Sequence, residues 1–291
     1  MFVQNNSIRA AKAYMQDRLK EHFSVSELRQ IVRESICFRL HLSPSEYMLS
    51  DDQLLSESDL LFLRSIVKRL LNNEPFQYII GSTQFCDLVI KTDARALIPR
   101  PETEELVNWI SSYYSAAQGL SVLDVCTGSG CIALALKSAH PNWVVQGMDI
   151  SNDALELAKE NAILLDLSVD FLSGDALSEE LRNQYKANSL DCIVSNPPYI
   201  PKAEQKTMNT NVVAHEPGIA LFVPDEDPLI FYRQIAQFSL ETLKNQGTLF
   251  FEIHEDFAED TLELMQTLGF VNIELRKDLQ GKNRMLLLQK P

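Results

Sequence analysis

The sequence predicts an α/β protein in which a sheet with helices on both faces follows a small helical bundle. Three observations predict this fold. Apolar residues recur at three-and-four spacing through residues 8–73, an alternating segment follows, and short apolar runs alternate with helical patterns from residue 120 onward. With 291 residues, the chain is long enough for one large domain and a smaller one.

The amino-terminal part of the chain has the pattern of several short helices. Serine residues that are shortly followed by an acidic residue are the candidate N-caps, namely Ser24 or Ser26 and Ser56 or Ser58. The composition, with 45% hydrophobic and 23% charged residues, is that of an ordinary globular protein. We therefore expect a helical bundle over residues 1–74.

The segment after the bundle is predicted to connect it to the larger domain. Pro75 ends the helical pattern, and residues 78–81 followed by residues 84–90 alternate as the two strands of a hairpin would. We therefore expect a hairpin linker over residues 75–95 and a large domain over residues 96–291.

The large domain is predicted to contain a parallel sheet. Its apolar runs are the predicted strands 122–125, 143–149, 169–172, 190–194 and 248–253, and the helical patterns lie at 131–139, 152–163 and 228–244. Alternation of this kind indicates a parallel sheet with helices on both faces. Open sheets of this type bind ligands at the carboxyl ends of their strands, so we expect the functional residues there.

The charge of the chain is unevenly distributed. Residues 1–84 carry ten basic and ten acidic residues, so residues 85–291 carry the whole formal net charge of −14. A surface this acidic repels a phosphate backbone at long range. It therefore disfavours nucleic acid as the main partner and favours a neutral or basic protein surface.

Composition also bears on location and on metal binding. The amino terminus lacks the pattern of a signal peptide and the apolar runs are short, so we expect a cytoplasmic protein that does not enter a membrane. The five cysteines form no Cys-x-x-Cys pair and the five histidines lack ligand spacing, so we expect no metal site. We also expect a monomer.

A glycine turn ends the first predicted strand of the large domain. The turn, Asp124-Val125-Cys126-Thr127-Gly128-Ser129-Gly130, lets the backbone approach a ligand closely. Asp149 ends the next strand, where a carboxylate can accept both hydrogen bonds of a ribose diol, and Asp175 ends the third strand. A dinucleotide would favour a third glycine where Ala133 stands, so this acidic anchoring favours S-adenosylmethionine (AdoMet), a sulfonium without phosphate.

The segment Asn196-Pro197-Pro198-Tyr199 follows the fourth predicted strand. The side-chain oxygen of Asn196 and the backbone carbonyl of Pro197 can accept the two N–H bonds of a planar –NH2 group, which favours positive charge developing on that nitrogen. The two prolines stiffen the loop, and Tyr199 offers a flat face to a planar group. The tetrapeptide therefore predicts methyl transfer to a planar amide-type or amino-type nitrogen, without an obligatory general base.

The tetrapeptide resembles the corresponding stretch of two families: the adenine-N6 DNA methyltransferases and the protein glutamine methyltransferases. The string Leu97-Ile98-Pro99-Arg100-Pro101-Glu102-Thr103-Glu104-Glu105-Leu106-Val107 resembles the signature of the glutamine-N5 methyltransferases that act on class 1 peptide chain release factors. The resemblance extends to residues 73–81, to Glu216-Pro217 and to residues 277–284. It covers nearly the whole chain.

The resemblance implies a Rossmann-like class I methyltransferase domain and specific site residues. Implied cofactor contacts are Cys126, Thr127, Gly128, Ser129, Gly130, Asp149, Asp175, Ala176 and Asn196. The substrate glutamine, from the Gly-Gly-Gln motif of a release factor, would be held by Asn196, Pro197, Pro198 and Tyr199, of which Asn196, Pro197 and Tyr199 carry the chemistry. The amino-terminal bundle would help to grip the release factor.

Two departures from the family and two alternatives remain. In Phe251-Glu252-Ile253-His254 the family usually has glycine instead of His254, which we expect to be a rim residue rather than a base. Cys126 stands where the family usually has its first glycine, so close contact with the cofactor is better supported at Gly128 and Gly130. A nucleic-acid amino-methyltransferase would need a basic groove, which the acidic large domain does not suggest. A scaffold with an inactive pocket would be expected to have lost Asn196, Asp149 or the glycine turn, and the chain retains all three.

Overall fold

The computed structural model describes residues 5–178 and 184–291 of the chain. These residues divide into two compact units. One comprises Met1–Gly81 and Asn209–His215, and the other comprises Ser82–Met208 and Glu216–Pro291. In the described residues, no helix is both long enough and apolar enough to cross a membrane.

The first unit is a helical bundle. Its helices are α1 (Ile8–Leu19), α2 (Val25–Leu40), α3 (Pro44–Leu49), α4 (Glu57–Leu71) and α5 (Phe76–Ile80), together with a short helix at Thr210–His215. Ser24 and Ser56 are the N-caps of α2 and α4, and each forms a reciprocal capping box with the acidic residue three positions later. Of the two candidates for each cap, the structure therefore selects the earlier serine.

The bundle has its own apolar core. α1, α2 and α4 each direct one stripe of side chains inward, which includes Met15, Ile36 and Leu63. Each of these three side chains is at most 2% exposed. The burial of three helical stripes on one another stabilises the unit, because fully burying an aliphatic side chain contributes about 1.5–3 kcal/mol.

The segment after Pro75 differs from the predicted hairpin. Residues 78–80 belong to helix α5, and the hairpin is formed by β1 (Ser82–Phe85) and β2 (Leu88–Lys91). The helix was missed because Ile79 and neighbouring apolar residues pack into the bundle core, a contact that alternation in sequence does not reveal. Gly81, at φ 81°, ends the helix in the left-handed conformation that glycine adopts without strain.

The second unit is built on a seven-stranded sheet in the described part of the chain. Its strands are β3 (Ser121–Val125), β4 (Val144–Asp149), β5 (Asp170–Ser173), β6 (Leu190–Ser195), β9 (Leu243–Glu252), β10 (Val271–Lys277) and β11 (Asn283–Gln289). The strand order is β10-β11-β9-β6-β3-β4-β5. A separate short pair, β7 (Ile200–Pro201) and β8 (Phe222–Val223), lies after β6 in the chain.

Helices cover both faces of the sheet. α6 (Pro101–Tyr113), α7 (Cys131–Ala139) and α8 (Asn152–Leu165) contribute to one core, and helices Ile230–Thr242 and Ala258–Leu268 contribute to the other. Successive residues of the central strand β3 enter opposite cores, with Val122 in the first and Leu123 in the second. Burial on both faces explains why this strand reads as a continuous apolar run.

The predicted fold class is confirmed, with one correction to the sheet. The predicted parallel strands pair in parallel, but β11 runs antiparallel to both of its neighbours, so the sheet is mixed. The sequence analysis assigned no strand to β10, although Val271, Ile273 and Leu275 alternate there with polar residues, and it left the apolar run of β11 unassigned. Helix Ala258–Leu268 was not predicted either.

Candidate active site

A pocket of about 240 Å³ lies at the carboxyl ends of β3, β4 and β6, where the sequence placed the functional residues. Most of the predicted site residues line it, namely Cys126, Thr127, Gly128, Ser129, Asp149, Asp175, Ala176, Asn196 and Pro198. Gly130, Pro197 and Tyr199 adjoin these residues in the chain and lie outside the lining. The structure thus brings together in one pocket residues from the carboxyl ends of four strands, β3, β4, β5 and β6.

The glycine turn has two glycines with different tasks. Gly128 adopts φ 55°, and a Cβ built there would meet no atom closer than 3.9 Å, so its open side faces the pocket. Gly130 adopts φ 81°, and a Cβ there would lie 2.9 Å from the ring of Phe171. Gly130 therefore serves packing between the turn and β5, whereas Gly128 permits close approach from the pocket.

Cys126 also adopts the left-handed conformation, with φ 63°. A side chain in this region costs about 1–2 kcal/mol relative to the usual conformation. Hydrogen bonds hold the turn nonetheless, since the Thr127 N–H donates to the Met148 carbonyl at 2.9 Å and the Gly130 N–H donates to the Thr127 carbonyl at 2.9 Å. Cysteine at this position thus keeps the backbone path that the family usually builds with glycine.

Asp124 lies beneath the turn and is fully buried. Its Oδ2 accepts hydrogen bonds from the Thr127 hydroxyl at 2.5 Å and from the Ala133 N–H at 3.3 Å. Burial raises the pKa of Asp124 to about 7, and its two hydrogen bonds oppose that rise. The three acidic strand ends thus divide into one that supports the turn from below and two that line the pocket.

Asp149 and Asp175 are the two pocket acids. The Oδ2 of Asp149 accepts from the Gly128 N–H at 2.8 Å, and its Oδ1 accepts from the Ser151 N–H at 2.9 Å. Burial raises the pKa of Asp149, and these backbone hydrogen bonds oppose the rise. Asp175 accepts from the Leu177 N–H at 2.8 Å. Each oxygen retains acceptor capacity, so the pair can anchor hydroxyl and amino groups of a ligand.

Side-chain hydrogen bonds join the end of β6 to two distant elements. The Asn196 Nδ2 donates to the Thr103 Oγ1 at 3.2 Å, and the Thr103 hydroxyl donates to the Glu252 Oε2 at 2.6 Å. The Tyr199 hydroxyl donates to the Glu252 Oε1 at 3.2 Å. Burial raises the pKa values of both Tyr199 and Glu252. We call these four residues the Asn196 network.

Sequence reasoning missed several of these residues. Thr103 lies in the string at residues 97–107 and Glu252 lies in the predicted strand 248–253, but the sequence analysis assigned neither a role. The same holds for Glu216, whose buried carboxylate accepts from the Arg100 guanidinium at 2.6 Å and from the Ile98 N–H at 3.2 Å. The string at residues 97–107 and the pair Glu216-Pro217 each contributed to the family resemblance. Their occurrence in the same family pattern was the signal that could have indicated a contact between them.

The fold and this pocket define a class I AdoMet-dependent methyltransferase. A family model described as the methyltransferase small domain matches residues 104–217. A solved structure titled human methyltransferase 10 domain containing protein shares the fold, with a TM-score of 0.52 and 16% sequence identity. It covers 70% of this chain and 88% of the human one.

Sequence comparisons identify the family. A model described as the PrmC N-terminal domain matches residues 10–81. A release factor glutamine methyltransferase from Flavobacterium psychrophilum is 41% identical, covering 83% of this chain and 84% of its own. Another from Bacteroides thetaiotaomicron is 38% identical, covering 94% and 97%. The chain belongs to the release factor glutamine methyltransferase family.

Proposed function

We propose that this protein transfers a methyl group from AdoMet to the side-chain amide nitrogen of the glutamine in the Gly-Gly-Gln motif of class 1 peptide chain release factors. The observation that carries the proposal is the position of Asn196 in the lining of a pocket that also contains Asp149 and Asp175. The near full-length similarity to relatives named for this activity supports the choice of a protein glutamine as the acceptor.

The residues on the β3 and β4 side of the pocket fit AdoMet. When bound, AdoMet supplies an electrophilic methyl group on a sulfonium. The open space above Gly128 accommodates a group close to the backbone, and Asp149 offers carboxylate oxygens to a ribose diol. Asp175 and Ala176 also line the pocket and are the proposed contacts for the adenine. Cys126, Thr127, Ser129 and Gly130 complete the proposed cofactor loop.

The end of β6 is the proposed substrate side. Asn196 and the Pro197 carbonyl accept the two N–H bonds of the glutamine amide, and Tyr199 with Pro198 bounds the planar group. Two acceptors favour the transition state, in which the amide nitrogen gains positive charge. The proton leaves after the nitrogen has become cationic, so this chain needs to orient the amide and exclude water rather than supply a base.

The partner is proposed to be a release factor bound partly by the amino-terminal bundle, residues 1–74, while residues 96–291 carry the chemistry. The net charge of −14 in residues 85–291 favours a neutral or basic protein surface over nucleic acid. We also propose that the enzyme acts as a monomer.

Peptide-mapping mass spectrometry tests the function. Purified protein with AdoMet should add one methyl group to the Gly-Gly-Gln glutamine of a release factor and none to a variant factor with asparagine in place of that glutamine. DNA and RNA serve as competing acceptors in the same assay. Methylation of nucleic acid with none on the release factor would contradict the proposal.

A further inference from the structure

The Asn196 network connects three elements that are far apart in the sequence. Thr103 lies in the first turn of α6, Glu252 ends β9, and Asn196 follows β6. β6 and β9 pair in parallel with Ser195 opposite Phe251, so the next residues, Asn196 and Glu252, lie side by side at the ends of adjacent strands. The first turn of α6 brings Thr103 to both.

The number of available hydrogens determines which group donates and which accepts in each hydrogen bond of this network. The Thr103 hydroxyl has one hydrogen, and the hydrogen bond to Glu252 at 2.6 Å uses it. Thr103 can therefore only accept from Asn196, and it does so from the Nδ2 at 3.2 Å. An Asn196 rotated by half a turn about its terminal bond would present its oxygen to a hydroxyl oxygen with no hydrogen left to give.

Glu252 keeps the Thr103 hydroxyl in the role of donor, because both carboxylate oxygens of Glu252 accept hydrogen bonds. Its two oxygens accept from Thr103 and from Tyr199. Burial raises the pKa of Glu252, and the hydrogen bond from Thr103 and the positive charge of Arg284 oppose that rise. Glu252 is 2% exposed, so water does not compete for these hydrogen bonds.

We propose that Thr103 and Glu252 are positioning residues that fix the amide of Asn196 with its oxygen toward the substrate nitrogen. The inference rests on the proposed function, in which Asn196 accepts a hydrogen bond from the glutamine –NH2 group. The opposite rotamer would place the Asn196 –NH2 group against another –NH2 group, so two donors would face each other without an acceptor. The network thus selects the rotamer that can bind and activate the substrate.

Matched substitutions of Thr103 test this inference. Thr103→Val keeps the branched shape and removes the hydroxyl, and it should lower kcat for release-factor methylation about 10- to 100-fold, as expected for a hydrogen bond to a charged group. AdoMet affinity, measured by calorimetry, should change by less than about threefold because Asp149 and the glycine turn are untouched. Thr103→Ser keeps the hydroxyl and should recover most of the lost rate. Thr103→Ala is the second variant if valine prevents folding.

A double-mutant cycle tests whether Thr103 acts through Asn196. In an Asn196→Ala background, Thr103→Val should lower kcat by less than about twofold, since no amide is left to orient. Equal rates for Thr103→Val and Thr103→Ser, or a full Thr103→Val effect in the Asn196→Ala background, would overturn the proposal.

A spectroscopic readout separates this inference from the function. In 15N-labelled protein, the side-chain amide signals of Asn196, assigned from their loss in Asn196→Ala, should shift in Thr103→Val and stay close to wild type in Thr103→Ser. Absence of that shift overturns the network. If wild-type protein does not methylate a release factor, the proposed function fails while this measurement still tests the orientation of the amide.

Discussion

The two sides of the pocket are built by different means. On the cofactor side, the residues in contact lie near one another in the sequence. The Asp149 carboxylate accepts hydrogen bonds from the backbone of Ser151, two residues away, and of Gly128, 21 residues away. On the substrate side, Thr103 and Glu252 are 149 residues apart, and Asn196 and Thr103 are 93 apart. Backbone groups hold the first side, whereas side chains from separate elements hold the second.

This difference predicts how substitutions on each side of the pocket affect the enzyme. A substitution on the cofactor side should weaken ligand binding or the stability of the turn, because the backbone itself forms the site. A substitution on the substrate side should lower the rate, because side-chain orientation is what the distant contacts supply. The following four predictions test this division, from the largest expected effect to the smallest.

Asn196→Ala should lower kcat for glutamine methylation about 100- to 1,000-fold, in the range seen when one polar group that stabilises a transition-state charge is removed. AdoMet affinity should fall little, since the Asp149 side of the pocket is intact. Single-turnover kinetics and calorimetry measure the two effects. Asn142→Ala, at an exposed position, is the control. A variant that loses AdoMet binding as severely as rate would remove the distinction between the two sides.

Asp149→Asn should weaken AdoMet binding about 10- to 100-fold, because a charged acceptor of hydrogen bonds is lost. At saturating AdoMet, kcat should stay near that of the wild type. Asp153→Asn removes the same charge from an exposed position of α8 and should leave the affinity nearly unchanged. Should both variants bind equally well, Asp149 is not the ribose anchor.

Gly130→Ala should destabilise the protein by more than a matched glycine substitution elsewhere. Both Gly130 and Gly119 adopt positive φ, but a Cβ at Gly119 would meet no atom within 4 Å, whereas one at Gly130 would meet Phe171 at 2.9 Å. Backbone strain alone should cost about 1–2 kcal/mol in each, and overpacking should add about 1–3 kcal/mol at Gly130. Thermal unfolding measures the difference. Equal losses would show that the contact with Phe171 relaxes freely.

Asp124 should make stability depend on pH. Its pKa of about 7 in the folded protein lies above the ordinary value of 3.8, so the folded form binds a proton that the unfolded form does not between these values. This contribution is complete below pH ~3.8 and is lost as pH rises through about 7.

Between pH ~3.8 and about 7, the Tm of the wild type should therefore fall relative to that of Asp124→Asn. Asp153→Asn controls for the loss of a charge. A difference that stays constant with pH would mean that Asp124 keeps one protonation state throughout.

The sequence determined the features that depend on local geometry. The glycine turn, the strand-end acids and Asn196-Pro197-Pro198-Tyr199 were all placed at one edge of the sheet, because a strand that is buried on both faces and ends in glycine or proline carries its own signal. The helix N-caps at Ser24 and Ser56 were also among the candidates, since a capping box spans only four residues.

Tertiary structure alone decided the long-range features. It turned Asp124 inward beneath the glycine turn, made β11 antiparallel, and brought Thr103 and Glu252 together beside Asn196. No local pattern encodes a hydrogen bond across 149 residues, because the partners meet only after β6, β9 and α6 have packed. Sequence thus supplied the reacting groups, whereas packing determined which way Asn196 faces.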